Sequence, residues 1–234
     1  MKQKLIVPFT LRPGEKLPDD VKKALSNANK QYKKTRDFQK YTKTLQKILS
    51  LPDFVPLTDE EKYFFGGFIE GEGSVSVSAK KNESSRFGVY FDPEFSVTQH
   101  VNGSIHLYRC LCHFRTGLIH YKSKSNATLV YTIDARDSLK QKVIPFFNNY
   151  VLPAACVPKK IRFQQWSKLL DLFDQGAHQD MNRFLYELGP IWDELRMQKK
   201  QVNESFSSLE DFQAYVSASM KSKGVRQDKV QAET

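Results

Sequence analysis

Residues 58–80 pass from a helical pattern straight into a strand pattern, and this junction restricts the possible folds most strongly. Thr58 followed by Glu61 forms a capping box, which predicts a helix over residues 58–72. In residues 73–80, Val and Ala alternate with Ser and Lys, the period-two pattern of a strand with one buried face. The helix must therefore end within EGEG, residues 70–73, and the strand must follow at once.

The predicted helix contains three glycines, Gly66, Gly67 and Gly71. Each interior helical glycine costs about 1 kcal/mol relative to alanine. Small residues on one helix face let two helices pack with their backbones nearly touching, and this explains why such a cost is tolerated. The alternative is a short helix that ends at Gly66.

Glu72 is predicted at the C-terminus of this helix, where the negative end of the dipole makes a carboxylate unfavourable by about 0.3–1 kcal/mol. The last carbonyl groups of the helix also have no partner there. A hard cation such as Mg²⁺ or Ca²⁺ would make the carboxylate favourable at this position, because it binds both carboxylate and carbonyl oxygens. If the helix pairs with its copy in a second subunit, two such acids meet around metal ions, which suits phosphodiester hydrolysis. A solvated EGEG turn is the alternative.

The remaining patterns predict an α+β fold with a four-stranded antiparallel sheet. An extended arm is expected over residues 1–16 and a disordered tail from Lys221. Strands are predicted at residues 73–80, 86–99, 117–124 and 127–133. Helices are predicted as two within 18–49, then 58–72, 103–115, 136–149, 159–174, 178–198 and 207–221.

Each predicted strand has one apolar and one polar face, so we expect helices on one side of the sheet and an open polar face on the other. Pro93 indicates a bend or an edge position in the second strand. The formal net charge of +10 fits either a polyanion partner or an ordinary basic protein. The open face could accordingly lie in a DNA groove or simply face solvent. The basic residues between 30 and 47 likewise face either phosphates or solvent.

Composition excludes several other classes of protein. No window approaches the roughly 18 apolar residues of a membrane span, and no signal or transit peptide is evident at the start of the chain. Three cysteines are too few for a disulfide framework. His106, Cys110, Cys112 and His113 do not have the spacing of a structural zinc site, so a helix facing the core is the better interpretation. Trp166 and Trp192 are expected in the core.

The segment FFGGFIEGEGS resembles the core helix of LAGLIDADG homing endonucleases, with Phe65–Gly73 matching the nine motif positions. The motif occurs once, as in the homodimeric members of that family. Further stretches resemble the group I intron enzymes of green-algal chloroplast large-subunit ribosomal RNA genes: GEKLP (14–18), DPEFSVTQHVNG (92–103), KSNATLV (124–130), VIPF (143–146) and AHQD (177–180).

This resemblance implies an α-β-β-α-β-β-α core in each of two subunits. We accordingly expect an N-terminal arm and basic helical extension at 1–57, the endonuclease core at 58–200, and a C-terminal helix and basic tail at 201–234. The implied activity is a double-strand break in a long pseudo-palindromic DNA site. The implied cofactor is Mg²⁺, with Ca²⁺ or Mn²⁺ as substitutes in vitro. The implied compartment is the chloroplast.

The resemblance also assigns roles to residues. Glu72 and the carbonyl of Gly71 would bind metal, although Glu replaces the usual Asp at positions 70 and 72, and Glu70 is the weaker candidate. Gln99 would position water. The basic residue near the phosphate would be Lys159 or Lys160, with Lys122 and Lys124 as competitors. The dimer interface would include Gly66, Gly67 and Gly71. The DNA-contacting strand residues would be Ser76, Ser78, Lys80, Arg86, Tyr90, Asp92, Ser96, Thr98, His120, Lys122, Lys124 and Thr128.

Two other functions share this fold. One is an RNA-binding maturase that assists intron splicing, and the other is a degenerate member that acts as a DNA-binding regulator. The acid at position 72 and Gln99 favour nuclease chemistry, because an RNA-specialised protein needs neither residue.

Overall fold

The computed structural model describes residues 9–198 and 205–232. The helices are α1 Asp19–Thr35, α2 Phe38–Leu49, α3 Asp59–Glu72, α4 Ser104–Phe114, α5 residues 136–151, α6 Val157–Asp174, α7 residues 181–198 and α8 Leu209–Ala232. The strands are β1 Gly73–Lys81, β2 Val89–His100, β3 Leu118–Tyr121 and β4 Thr128–Ile133. Helices α5 and α7 contain π-helical turns at Leu139–Val143, Phe147–Val151 and Phe184–Leu188. None of the described helices is long and apolar enough to cross a membrane.

The four strands form one antiparallel sheet in the order β1-β2-β4-β3, which confirms the predicted fold class. The register between β2 and β4 begins at the pair Phe95 and Ile133 and ends at His100 and Thr128. Pro93 therefore lies before the part of β2 that pairs with β4. Its missing N–H is tolerated there, because no hydrogen bond to β4 is lost.

Contacts divide the chain into two compact units. The first contains the described residues up to Ser74 together with Phe95–Ala155, and the second contains Val75–Glu94 and the described residues from Cys156 onward. The N-terminal helices α1 and α2 lie within the first unit. The divisions expected after residues 57 and 200 stay predictions.

Aromatic rings fill the core of the first unit. The ring of Phe95 lies 5.8 Å from that of Phe114 and 5.6 Å from that of Phe147. The predicted apolar stripe of α2 is buried at Tyr41, Leu45 and Leu49. Burial of such side chains stabilises the unit by about 1.5–3 kcal/mol each.

Helices α1 and α2 cover the free edge of β3. The amide of Asn29 donates to the carbonyl oxygen of Ile119 at 3.0 Å, and the N–H of Ile119 donates to the hydroxyl oxygen of Tyr41 at 3.0 Å. The Tyr41 hydroxyl in turn donates to Asn29 Oδ1 at 2.7 Å. Both backbone groups of this edge residue are thereby satisfied, which protects the sheet from pairing with another chain.

The core of the second unit is built around Phe91. Its ring lies 5.1 Å from Phe184 and 5.5 Å from Phe212. Trp166 and Trp192 are fully buried, as predicted for core residues.

Three sequence-predicted boundaries are corrected by the structure. Strand β3 ends at Tyr121 rather than 124, because Ser125 caps the following turn by donating to the Lys122 carbonyl and accepting from Thr128 N–H. Strand β2 begins at Val89 rather than 86, because Gly88 has φ +74° and closes a turn by accepting from Asn82 N–H. Helix α8 continues to Ala232, so the segment from Lys221 is helical over its described part instead of disordered.

Part of the predicted N-terminal arm is hydrogen-bonded to the end of α2. Residues 9–16 of the arm are described, and there Phe9 N–H donates to the Leu49 carbonyl at 3.1 Å; residues 1–8 lie outside the described chain.

The histidine and cysteine residues of α4 do not form a zinc site among the described residues. Cys110 and Cys112 are buried and form no disulfide. Burial raises the pKa of the Cys112 thiol to about 11, so neither a thiolate nor a metal is favoured there. Among the described residues, no cluster of three or more His, Cys, Asp and Glu side chains could hold a metal ion.

Candidate active site and nucleic-acid interface

Helix α3 begins with the predicted capping box. Thr58 Oγ1 accepts from the N–H of Glu61 at 3.2 Å, and Glu61 Oε2 accepts from the N–H of Thr58 at 3.0 Å. The Thr58 N–H and then the Arg109 guanidinium lower the pKa of Glu61, which keeps this carboxylate charged. The start of the helix, and with it the position of every later residue along the helix, is therefore well defined.

One face of α3 is open to solvent. Phe64 is 58% exposed, and Gly67, Gly71 and Glu72 are also exposed. A Cβ atom built on Gly67 or Gly71 would meet nothing within 4 Å. These two glycines therefore have no packing role within the described protomer, and a helix of a second molecule could approach this face closely.

Gly66 has a different role from the predicted one. It is buried, and a Cβ atom there would lie 2.0 Å from the carbonyl oxygen of Tyr150 in the last π-helical turn of α5. The close backbone approach predicted for Gly66 is real, but it occurs within one protomer. Gly66 is therefore removed from the predicted dimer interface, whereas Gly67 and Gly71 remain candidates.

Glu72 is the last residue of α3 and leads directly into β1. Its exposed carboxylate makes no hydrogen bond or ion pair with any residue in the described ranges. A charged carboxylate beside the last helix carbonyls is suited to a hard divalent cation, which takes oxygen ligands. A single protomer offers only this part of a metal site, because its described residues contain no larger acidic or histidine cluster.

Gln99 lies near the end of β2, as expected, and belongs to the same unit as Glu72. Its Oε1 accepts from the N–H of His100 at 2.9 Å. A Cβ atom on Gly103 would lie 2.6 Å from Gln99 Cγ, so the glycine leaves room for this side chain. The fixed Oε1 holds the amide group in one orientation, as a water-positioning residue requires.

Lys159 and Lys160 lie in the first turn of α6, within the second unit, and both are half-buried. The next cation of this helix, Arg162, was not predicted as a site residue, and it is only 5% exposed. Arg162 Nε donates to the Val75 carbonyl at 2.7 Å, and Nη1 donates to the Leu195 carbonyl at 2.6 Å. Arg162 thus attaches α6 to the start of β1. Its only sequence signal was its position one turn after Lys159.

The predicted polar face of β1 and β2 is present in the second unit. Ser76, Ser78 and Lys80 alternate with buried Val75, Val77 and Ala79. Lys80 Nζ donates to Asp92 Oδ2 at 2.5 Å, and this hydrogen bond raises the pKa of Lys80. Tyr90 is 44% exposed on β2. A cation, an acid, an aromatic ring and two hydroxyls are the residue types that read base edges in a groove.

The first unit has a polar sheet face of its own, built from register-matched rows. Thr98 pairs with Val130, which pairs with His120, so one row crosses β2, β4 and β3. Ser96 pairs with Thr132 in the next row, and Thr128 is opposite His100. The predicted strand positions Ser96, Thr98, His120 and Thr128 are therefore brought together on one surface.

Three predicted DNA-contacting residues lie in turns instead of strands. Lys122 and Lys124 are in the β3–β4 turn, where Lys124 has φ +63°. Arg86 is in the β1–β2 turn, with its guanidinium carbon 5.7 Å from the centre of the Phe87 ring. All three are exposed, but their side chains are not fixed to the sheet face by strand alternation.

The chain is similar in sequence to known proteins. Residues 65–170 match the family model described as LAGLIDADG endonuclease. DNA endonuclease I-CeuI of Chlamydomonas moewusii is 48% identical over 207 residues, covering 88% of this chain and 94% of that protein.

Two solved structures are also similar. Group I intron-encoded homing endonuclease I-CeuI complexed with DNA has a TM-score of 0.83 at 47% identity, covering 88% of this chain and 100% of that one. The archaeal intron-encoded homing endonuclease I-Vdi141I complexed with DNA has a TM-score of 0.58 at 28% identity. The match covers 69% of this chain and 97% of that one.

Proposed function

The chain belongs to the LAGLIDADG endonuclease family, and from this we propose that it is a site-specific DNA endonuclease that works as a homodimer with Mg²⁺. Its proposed substrate is double-stranded DNA, which is supported by the I-CeuI and I-Vdi141I structures because both are complexes with DNA. The RNA-binding maturase alternative has no comparable support, because these relatives are described as endonucleases bound to DNA. Similarity to a green-algal enzyme supports a chloroplast location.

The observation that carries the metal-dependent part of this proposal is the exposed Glu72 carboxylate at the end of α3, which has no partner among the described residues. Gly67 and Gly71 leave the preceding face of the helix open. If two copies of α3 pack along this face, their two Glu72 carboxylates come together and complete a site that one protomer lacks. A two-fold axis there also explains a pseudo-palindromic target, because each subunit meets one half-site.

Each candidate residue then has a defined task. Glu72, with the Gly71 carbonyl, would hold the cation, and Gln99 would orient water through its amide. Lys159 or Lys160 would stabilise negative charge on the phosphate. When bound, Mg²⁺ supplies Lewis-acid chemistry that activates water and stabilises the charge developing on the phosphodiester. The polar faces of the two sheets would contact base edges of the two half-sites.

A plasmid cleavage assay tests this proposal. The substrate is a supercoiled plasmid carrying an intron-free segment of a chloroplast large-subunit ribosomal RNA gene, and the control plasmid lacks that segment. We expect one double-strand cut with Mg²⁺ and none after EDTA is added. Cleavage that persists in EDTA would contradict the metal requirement, and no specific cleavage of the plasmid would contradict the assigned function.

A further inference from the structure

A basic cleft lies between α1 and the edge strand β3. It has a volume of about 380 Å³, and it is lined by Lys22, Ser26, Asn29, Lys30, Lys33, His120 and Tyr121. Helix α1 is fixed at this edge, because Asn29 is hydrogen-bonded to Ile119. The cleft is therefore a built feature of the first unit and not a chance gap between loose segments.

The lysines of this cleft are not equally available. Lys22 Nζ is 2.9 Å from Asp19 Oδ1 and 4.8 Å from the centre of the Tyr121 ring, so its charge is partly compensated. Lys30 and Lys33 are exposed and make no ion pair with a described residue. They are three residues apart on one helix face, which brings two uncompensated ammonium groups to one side of the cleft.

His120 connects the cleft to the polar face of the sheet. It is the β3 member of the row that also contains Val130 and Thr98. Burial and then the nearby Lys33 lower the pKa of His120, so its imidazole is neutral at neutral pH and offers one N–H donor.

The width of the sheet indicates which part of a bound DNA duplex would lie against this cleft. Four strands about 4.8 Å apart span about 14 Å. The DNA major groove is about 12 Å wide, so a sheet lying along it has its outer edges at the phosphate walls. Helix α1 lies beyond the edge strand β3. It would therefore face the phosphate backbone of the DNA rather than the bases.

We propose that Lys30, Lys33 and His120 form a clamp for backbone phosphates of the target DNA, at the edge of the base-reading sheet. This inference rests on the proposed function, because it requires that the polar face lie in a groove. The N-terminal helices would then have two tasks, covering the β3 edge and fixing the register of the sheet in the groove. Phosphate contacts position a protein on a duplex without reading its sequence.

Salt titration with a charge-matched control tests the clamp. The clamp variant is the double change Lys30→Gln/Lys33→Gln. The control variant is Lys23→Gln/Lys34→Gln, which removes the same charge from the same helix outside the cleft. Binding of a duplex carrying the cleaved site is measured in EDTA over a range of salt concentrations. We expect the clamp variant to reduce the slope of log K against log salt by about 2–4 per dimer, since each neutralised phosphate contributes about 0.9. The control variant should change the slope by less than 1.

Neutralised phosphates locate the contact. Methylphosphonate is introduced at one position at a time in the same duplex. At one or two adjacent positions per half-site, wild-type protein should lose affinity several-fold while the clamp variant loses none. Equal losses for both proteins at every position, or equal slopes for the clamp and control variants, would overturn the clamp. Altered preference among base substitutions with an unchanged slope would also overturn it, because the cleft would then read bases.

The experiments distinguish a wrong clamp from a wrong enzyme function. If wild-type protein neither binds nor cuts the site, the proposed function is wrong. If wild-type protein cuts the site and the clamp variant keeps the wild-type salt slope, only the clamp is wrong. His120→Gln provides a second variant, which we expect to weaken binding without changing the salt slope, because it removes a neutral donor.

Discussion

Gly66 and Gly67 are adjacent in the chain but have opposite surroundings. A Cβ atom would lie 2.0 Å from the Tyr150 carbonyl oxygen at Gly66 and would meet nothing within 4 Å at Gly67. We expect Gly66→Ala to lower the free energy of unfolding by about 1–3 kcal/mol, because backbone atoms cannot yield as a side chain would. Denaturation in urea at several protein concentrations measures this effect, which should be independent of concentration.

The matched change on the open face is Gly67→Leu. It should leave the protomer folded and weaken the dimer, because a large side chain would separate two helices packed at that face. Sedimentation should therefore show monomer at concentrations where the wild type is dimeric. An intact dimer of the Gly67→Leu variant would contradict the proposed packing of α3 against its copy.

Asp92 places an acid on the surface proposed to contact DNA. Its carboxylate binds Lys80 Nζ at 2.5 Å, so it both orients this cation and repels phosphate. We expect Asp92→Asn to raise affinity for unrelated duplexes and to reduce discrimination in favour of the target. Competition binding with non-specific DNA measures this ratio. Unchanged affinity for both duplexes would indicate that the pair lies away from the DNA.

At the scale of elements, the closed group of Asn29, Tyr41 and Ile119 holds the N-terminal helices on the β3 edge. Tyr41→Phe would leave the Ile119 N–H without its acceptor. A buried donor without a partner costs about 1–3 kcal/mol, so thermal denaturation should show a clear loss of stability. Tyr32→Phe is the control, because the Tyr32 ring stacks 4.5 Å from Tyr41 but its hydroxyl has no hydrogen-bond partner among the described residues. Equal destabilisation by the two changes would argue against a stabilising role for the hydrogen bonds among Asn29, Tyr41 and Ile119.

Elements with local signals were predictable from the sequence. The capping box defined the start of α3, and period-two alternation identified the buried and polar faces of β1 and β2. The predicted end of β3 was wrong, because the true end depends on a turn in which Ser125 is hydrogen-bonded to both Lys122 and Thr128. The alternating pattern of residues continues past Tyr121, although the backbone leaves the strand there.

Features made by distant parts of the chain were not predictable. Gly66 was assigned to a dimer because its true partner, Tyr150, lies on a helix far along the sequence. Arg162 was missed because its acceptors are backbone carbonyls of Val75 and Leu195, which leave no pattern of residue types. The roles of Gln99 and the two lysines came from family resemblance, and the structure supplies their positions.

At the scale of the whole molecule, charge and symmetry determine how DNA is bound. The formal net charge is +10 per chain. A protein that makes 6–10 phosphate contacts loses about 10³–10⁵ in affinity between 50 and 200 mM salt. We expect a loss of this size for the target duplex, measured by fluorescence anisotropy, with sucrose as an uncharged control for osmotic effects. Affinity that hardly changes with salt would contradict a DNA-binding surface of this extent.

One carboxylate from each subunit, that of Glu72, is proposed to be required for cleavage but not for recognition of the target. The direct measurement is cleavage of the target plasmid with Mg²⁺, together with duplex affinity, for Glu72→Gln. Glu60→Gln is the charge-matched control at the other end of the same helix. We predict that Glu72→Gln removes cleavage and binds within a few-fold of wild type, while Glu60→Gln keeps both activities. Full cleavage by the Glu72→Gln protein would contradict the proposed metal-binding role of Glu72.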